Sequence, residues 1–89
     1  MLHLFLYTTS GCHLCEHAEE FLNVLGQHPQ LHNQFQWSPV EISESDALIE
    51  SYGVRIPVIA TEDGQEIGWP LEMEQLGEWI YNHLVNQMA

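Results

Sequence analysis

The chain has 89 residues, 13 of them acidic and one, Arg55, basic, so its formal net charge is −12. Such a charge repels nucleic acids and anionic membrane surfaces, and it counts against both as binding partners. The length fits one domain, and three Trp, three Tyr and three Phe argue against a disordered chain.

The first predicted elements are a strand and a helix joined by a short polar turn. Residues 2–7 read Leu-His-Leu-Phe-Leu-Tyr, a nearly continuous apolar run that is typical of a central strand covered on both faces. From Cys12 to Gly26 apolar residues recur at helical spacing, and Gly26 supplies a stop. The predicted buried face of this helix consists of Leu14, Ala18, Phe21, Leu22 and Leu25.

Two cysteines, Cys12 and Cys15, stand at the junction between this strand and this helix. A sulfur at a helix N-terminus lies close to free backbone N–H groups and to the positive end of the helix dipole, and both favour a thiolate. Cys12 lies at the helix entrance and Cys15 lies beside the apolar face, so we expect one exposed and one buried sulfur. The pattern predicts thiol–disulfide chemistry.

The middle of the chain predicts a second strand over residues 35–42 and a short second helix. Pro39 lacks the N–H that a sheet ladder needs, so this strand is expected at an edge of the sheet. Ser43 is the predicted cap of the helix, Asp46 lies in its first turn, and Gly53 ends it. Its predicted buried side consists of Leu48, Ile49 and Tyr52.

The last third predicts a strand over residues 54–60, a hairpin turn at Asp63-Gly64 and a short strand over 65–68. Pro70 suits the start of a final helix, whose apolar face is formed by Met73, Leu76, Ile80 and Leu84. The order is β-α-β-α-β-β-α. A right-handed crossover makes the first two strands parallel, and the hairpin adds antiparallel strands. We therefore predict an α/β fold in one domain over residues 1–89, with a four-stranded mixed sheet and helices on both faces.

This order resembles the thioredoxin superfamily, with Cys12-His13-Leu14-Cys15 after the first strand and Arg55-Ile56-Pro57-Val58 before the hairpin. The chain is most similar to small glutaredoxin-like bacterial domains. The resemblance implies a thioredoxin-like, glutaredoxin-type fold, with Cys12 as the exposed nucleophile and Cys15 as the resolving cysteine. It also implies a cis peptide bond before Pro57, which presents the backbone of Ile56 to an extended peptide.

Departures from the family pattern count against glutathione binding. Glutaredoxins usually carry a basic residue shortly before the cysteine pair, where this chain has Thr8, Thr9 and Ser10. Their glycine pair followed by acidic residues is replaced here by Gly-Trp-Pro-Leu-Glu at residues 68–72. The Gly-Pro that thioredoxins place between the cysteines is replaced by His13-Leu14. Because glutathione is anionic overall and this chain is strongly acidic, we expect disulfides of protein substrates instead.

The expected activity is that of a thiol–disulfide oxidoreductase that reduces or exchanges disulfides through Cys12 and Cys15. The resemblance implies Ile56 and Pro57 as substrate-binding residues. Arg55 is a third candidate because its guanidinium can bind a substrate carboxylate, and its pairing with a nearby carboxylate of the protein is the alternative. His13 and Trp69 are candidate modulators, with an exposed polar role for His13 and a packing role for Trp69 as the alternatives. We expect a cytoplasmic monomer without a cofactor or a bound metal.

Two other functions remain open from the sequence alone. Four neighbouring side chains are soft or borderline metal ligands, so they provide a candidate site for zinc or a cluster shared between two chains. They are Cys12, His13, Cys15 and His17, and His3 is available elsewhere. The chain also fits a redox-inert interaction module that has kept the fold, because a fold does not by itself specify a function.

Overall fold

The computed structural model describes residues 2–88, with side chains through residue 86. Within these residues four strands and three α-helices follow one another in the predicted order. Their bounds are Leu2–Thr8 (β1), His13–Gly26 (α1), Phe35–Glu41 (β2), Asp46–Tyr52 (α2), Val58–Thr61 (β3), Glu66–Gly68 (β4) and Met73–Met88 (α3). No helix in this described part has both the length and the apolar content to cross a bilayer.

The strands form one sheet in the order β2-β1-β3-β4. β1 pairs in parallel with β2 and antiparallel with β3, and β4 pairs antiparallel with β3. Leu6 lies between Pro39 of β2 and Ile59 of β3 in this register. The mixed sheet confirms the predicted fold class, and Pro39 stands on an edge strand, where its missing N–H is tolerated.

The core lies between one face of the sheet and the helices α1 and α3. Alternate residues of β1 point to this face because strand side chains alternate with a period of two. Burial of each such Leu side chain stabilises the folded state by about 1.5–3 kcal/mol. The helices approach closely, since a Cβ added at Gly77 of α3 would lie 3.2 Å from Leu25 Cδ2 of α1. The buried set includes Leu2, Leu4, Leu6, Ala18, Leu22, Leu25, Ile59, Leu76, Ile80 and Leu84.

The opposite face of the sheet meets α2 through aromatic stacking. The rings of Tyr7 on β1 and Tyr52 on α2 are stacked with centroids 4.0 Å apart and planes 10° apart. Helices therefore cover both faces of the sheet, as predicted.

The start and the packing of α2 differ from the prediction. Ser45, not Ser43, is its N-cap, and Ser45 Oγ accepts the N–H of Leu48 at 3.4 Å. Ser43 lies instead in a 3-10 turn, Ile42–Glu44, where its N–H donates to the Glu41 carboxylate at 3.1 Å. No residue of the helix is fully buried. Ile49 is exposed, so its predicted burial is wrong, whereas Leu48 and Tyr52 are half-buried.

The third strand begins at Val58, four residues later than predicted. The carbonyl of Tyr52 accepts the N–H groups of both Arg55, at 2.8 Å, and Ile56, at 3.0 Å. These two bonds fold the segment into a turn, and Pro57 has no N–H with which to extend the ladder. The apolar run from Val54 is therefore a loop, not the first half of a strand.

The final helix begins at Met73, three residues beyond Pro70. The Gln75 side chain accepts the N–H of Glu72 at 2.8 Å, which is one half of a capping box and fixes this start. Three of the four predicted apolar positions are buried, but Met73 lies on the surface.

Candidate functional site

The cysteine pair occupies the turn that leads from β1 into α1. Gly11 has φ 80°, a left-handed conformation that glycine adopts without steric cost, and it redirects the chain toward the helix. Cys12 is the N-cap of α1, and its carbonyl accepts the N–H of Glu16 at 3.2 Å. A disulfide joins Cys12 to Cys15, with their Cα atoms 5.2 Å apart, inside the normal range for such bonds.

The two sulfurs differ in exposure and in environment. Cys15 is only 2% exposed, whereas Cys12 is half-buried. The Cys15 N–H donates to Cys12 Sγ at 3.1 Å, so a sulfur occupies the place that an oxygen takes in a usual N-cap. When the disulfide is reduced, this N–H and the helix dipole both favour a thiolate at Cys12 over one at Cys15.

The turn is tied to the neighbouring strand by Glu41, which the sequence analysis did not select. Glu41 Oε1 accepts the N–H of Ser10 at 3.1 Å, and its Oε2 accepts the N–H of Ser43 at 3.1 Å. The Ser43 N–H, followed by the Thr9 hydroxyl, lowers the pKa of the Glu41 carboxyl. The available signal was its position: it ends a strand parallel to β1, and site residues gather where parallel strands end.

A small depression lies on this side of the disulfide. It holds about 250 Å³, and three carboxylates line it together with both cysteines. We call it the carboxylate pocket, and its lining residues are Thr8, Thr9, Ser10, Gly11, Cys12, Cys15, Glu16, Glu19 and Glu41.

The loop before β3 contains a cis peptide bond between Ile56 and Pro57. Pro57 is buried, and its carbonyl accepts the N–H of Trp69 at 3.3 Å. The Ile56 N–H already donates to Tyr52, so an incoming peptide can pair with the Ile56 carbonyl but must displace this bond to reach the N–H. A second cis bond, between Trp69 and Pro70, was not predicted.

Arg55 is held by three contacts beside this loop. Its Nη1 donates to Glu66 Oε1 at 3.3 Å, its Nε donates to the Ser51 carbonyl at 3.0 Å, and its guanidinium lies 4.8 Å from the centre of the Tyr52 ring. The Tyr52 hydroxyl donates to Glu66 Oε2 at 2.7 Å, and this bond raises the pKa of the Tyr52 phenol. The predicted carboxylate partner of Arg55 is thus Glu66, from the hairpin.

A larger depression, of about 490 Å³, brings the cysteine turn and the cis-proline loop together. We call it the apolar groove, and its lining residues are Leu14, Val54, Arg55, Ile56, Val58, Glu66, Gly68 and Trp69. Leu14 is 45% exposed and Val54 is fully exposed. The prediction that Leu14 belongs to the buried face of α1 is therefore wrong, because its neighbours are the residues of this groove.

The two candidate modulators occupy different surroundings. The His13 side chain is 91% exposed, with Nδ1 3.5 Å from Glu16 Oε2. Trp69 lines the groove and also stacks on α1, with ring centroids 5.8 Å from Phe21 and 6.4 Å from His17. Among the residues that the structure describes, no group of three or more His, Cys, Asp or Glu side chains is arranged to hold a metal ion.

Known proteins resemble this chain over most of its length. The family model described as Glutaredoxin-like domain (DUF836) matches residues 3–81. Among solved structures, target protein XcR50 from X. campestris is 33% identical, with a TM-score of 0.72 over 89% of this chain and 96% of that chain. Protein Ne2328 from Nitrosomonas europaea is 25% identical, with a TM-score of 0.68 over 88% and 89% of the two chains.

A more distant likeness shows the fold alone. A thioredoxin variant from Halobacterium salinarum NRC-1 is 19% identical, with a TM-score of 0.67 over 91% of this chain and 73% of that chain. No protein with a curated description matches. Because the family model covers nearly all of the sheet, α1 and α2, this chain belongs to the Glutaredoxin-like domain (DUF836) family.

Proposed function

We propose that this protein is a thiol–disulfide oxidoreductase that acts on protein disulfides through Cys12 and Cys15. One observation carries the proposal. A disulfide stands at the N-terminus of α1 with one half-buried and one fully buried cysteine, and Leu14 between them lines a groove shared with the cis-proline loop. A scaffold without redox chemistry needs neither the disulfide nor its placement at a helix terminus.

The reaction begins from the reduced pair. The Cys12 thiolate attacks one sulfur of the substrate disulfide, so a Cys12–substrate disulfide forms and the other substrate sulfur leaves as a thiolate, which takes up a proton. Cys15 then loses its proton and attacks Cys12 Sγ. The protein disulfide re-forms and the second substrate sulfur leaves and is protonated. Two electrons and two protons have passed to the substrate, and an external thiol donor must restore the dithiol.

The surroundings assign a role to each step. The Cys15 N–H and the positive end of α1 stabilise the attacking Cys12 thiolate. A single helix terminus at an exposed site stabilises such a charge by about 0.3–1 kcal/mol. Burial of Cys15 protects it from competing thiols until the mixed disulfide brings a sulfur within reach.

The substrate is expected to lie along the cis-proline loop. The carbonyl of Ile56 is the backbone group that pairs with an extended peptide, and Pro57 fixes its direction. Arg55 borders the same groove, where its guanidinium is paired with Glu66. We propose further that the protein works as a monomer and needs no cofactor. Its proposed location is the cytoplasm, where thiol donors keep such cysteine pairs reduced.

The decisive experiment is a redox titration of the Cys12–Cys15 pair combined with turnover assays. We expect one reversible two-electron couple per chain, and turnover of a peptide disulfide with either a glutathione system or a thioredoxin-reductase-type system as the donor. A pair that cannot be reduced reversibly, or no turnover with either donor, would overturn the proposal in favour of an interaction module.

A further inference from the structure

Four large apolar side chains line the apolar groove, two of them exposed and two half-buried, and Leu14 connects the groove to the cysteine turn. Leu14, Val54, Ile56 and Trp69 all face the same depression. Contiguous exposed apolar side chains of this kind are typical of binding grooves, because a partner removes them from water. A ligand that fills this groove must therefore offer apolar surface beside the disulfide that reacts.

The positive charge in this groove is already neutralised. Arg55 is the single lysine or arginine of the sequence, and its guanidinium is engaged by Glu66, Ser51 and Tyr52. Glu66 is held in place by the Tyr52 hydroxyl at 2.7 Å. An anionic ligand would have to compete with Glu66 for Arg55 and would meet the carboxylate at the same place.

The carboxylate pocket, which both cysteines line, is negative. Glu16, Glu19 and Glu41 line the carboxylate pocket together with both cysteines, and the chain as a whole carries a formal charge of −12. A ligand that approaches the sulfurs from this pocket meets three carboxylates on a strongly acidic protein, which attract cations and repel anions.

We propose that the groove selects polypeptide segments whose target disulfide is flanked by an apolar residue and by lysine or arginine. The Arg55–Glu66 pair excludes anionic disulfides such as glutathione disulfide. This inference rests on the proposed oxidoreductase function, since it names the substrate of that same site. The apolar residue of the substrate fills the groove, and its cationic residue interacts with the surrounding carboxylates.

The test uses three synthetic peptides that each contain one disulfide and differ only in the residue flanking it, which is Lys, Gln or Glu. We expect kcat/KM to fall in that order, by about threefold at each step at low ionic strength, as for other exposed charge pairs. The differences shrink as salt is added, because salt screens exposed charges. Equal kcat/KM for all three peptides would overturn the charge selection and leave the oxidoreductase function standing.

Three variants locate the selection in the groove. Glu66→Gln should narrow the ratio of kcat/KM between the Lys and Glu peptides, whereas Arg55→Gln should widen it. Both changes break the same ion pair, so damage to the loop alone would move the ratio in one direction for both. Glu78→Gln makes the same charge change on the exposed face of α3, outside both depressions, and should leave the ratio unchanged.

Three other results of these kinetic measurements would also test the inference. If Glu66→Gln does not fold, the widening expected of Arg55→Gln alone carries the test, and a narrowed or unchanged ratio there overturns the inference. If Glu66→Gln and Glu78→Gln narrow the ratio of kcat/KM between the Lys and Glu peptides equally, the preference for a cationic peptide comes from the net charge of the protein, and the role of the groove is overturned. No turnover of any peptide by folded protein would overturn the proposed function itself.

Discussion

The two sides of the disulfide are built from different chemistry. The apolar groove contains side chains from the cysteine turn, the cis-proline loop and the hairpin, and its one ion pair joins Arg55 to Glu66. The carboxylate pocket contains the polar turn before Cys12 and a carboxylate, Glu41, that accepts two backbone N–H groups. One side offers surface to a partner, whereas the other holds the turn in place.

This difference separates recognition from positioning around a single pair of sulfurs. Leu14 and Val54 are both exposed to solvent, so their apolar surface is available to a ligand. Glu41 is already bonded to Ser10 and Ser43, so its oxygens act within the protein. Changes in the groove should therefore alter which substrates react, and changes at Glu41 should alter the stability and the potential of the pair.

The largest expected effect comes from the sulfurs themselves, on which both sides depend. Cys12→Ser should abolish exchange, because no attacking thiolate remains. Cys15→Ser should let the first step proceed and block the second, so the protein accumulates as a mixed disulfide with its substrate. Intact mass spectrometry after incubation with a peptide disulfide distinguishes these results. Equal loss in both variants without a trapped species would contradict the roles assigned to the two cysteines.

A groove substitution should have the next largest effect. Leu14→Ser removes apolar contact surface and should lower kcat/KM for a peptide disulfide by about tenfold, which corresponds to 1.4 kcal/mol. A small uncharged disulfide that cannot fill the groove should react as with the unsubstituted protein. Steady-state kinetics with both substrates measure this difference.

Val24→Ser is the matched control for that prediction. Val24 is another exposed apolar residue of α1, and it lies outside both depressions. Its substitution should leave kcat/KM for the peptide unchanged. An equal decrease in both variants would mean that the surface of α1 in general, and not the groove, binds the peptide.

Local sequence patterns predicted much of the fold because they act over a few residues. The helical spacing of Ala18, Leu22 and Leu25 buries one face of α1, and the missing N–H of Pro39 places β2 at an edge. The predicted start of β3 was wrong because the apolar run from Val54 has the pattern of a strand. The backbone N–H groups of Arg55 and Ile56 instead donate to the carbonyl of Tyr52. Backbone hydrogen bonds therefore determine whether this segment is a strand or a turn, and a pattern of apolar residues does not predict them.

The candidate site was predicted only in part, because its two sides are assembled from distant segments. Cys12 and Cys15 lie together in the sequence, and the resemblance located Pro57. Glu41 reaches Ser10 across 31 residues, and only the parallel pairing of β1 with β2 brings them together. Leu14 fits the helical pattern, yet at the first turn its neighbours belong to the cis-proline loop and not to the core.

A smaller effect is expected on thermal stability when acid protonates Glu41 in the carboxylate pocket. The pKa of Glu41 is lowered, first by the Ser43 N–H, so its carboxylate stabilises the folded state above the unfolded pKa of about 4.3, and this contribution is lost as pH falls through the folded value. Glu41→Gln should lower the Tm at pH 7 by less than roughly 5 °C. Melting curves against pH should show this gap closing below about pH 4, and a gap that widens in acid would contradict the bonding described.

The smallest expected effect concerns the reduction potential, and it tests whether the carboxylate pocket acts on the sulfurs at all. Glu41 shares the pocket with both cysteines, and its charge disfavours a thiolate, whereas the disulfide carries no charge to repel. Glu41→Gln should therefore favour the reduced pair and shift the potential to a less negative value, by under about 30 mV. Asp63→Asn makes the same charge change at a carboxyl whose pKa is lowered by the Thr61 hydroxyl, in the hairpin turn and outside the pocket. Its potential should equal that of the unsubstituted protein in the same thiol-buffer titration. A shift of equal size in both variants would mean that overall charge sets the potential and that Glu41 has no special position.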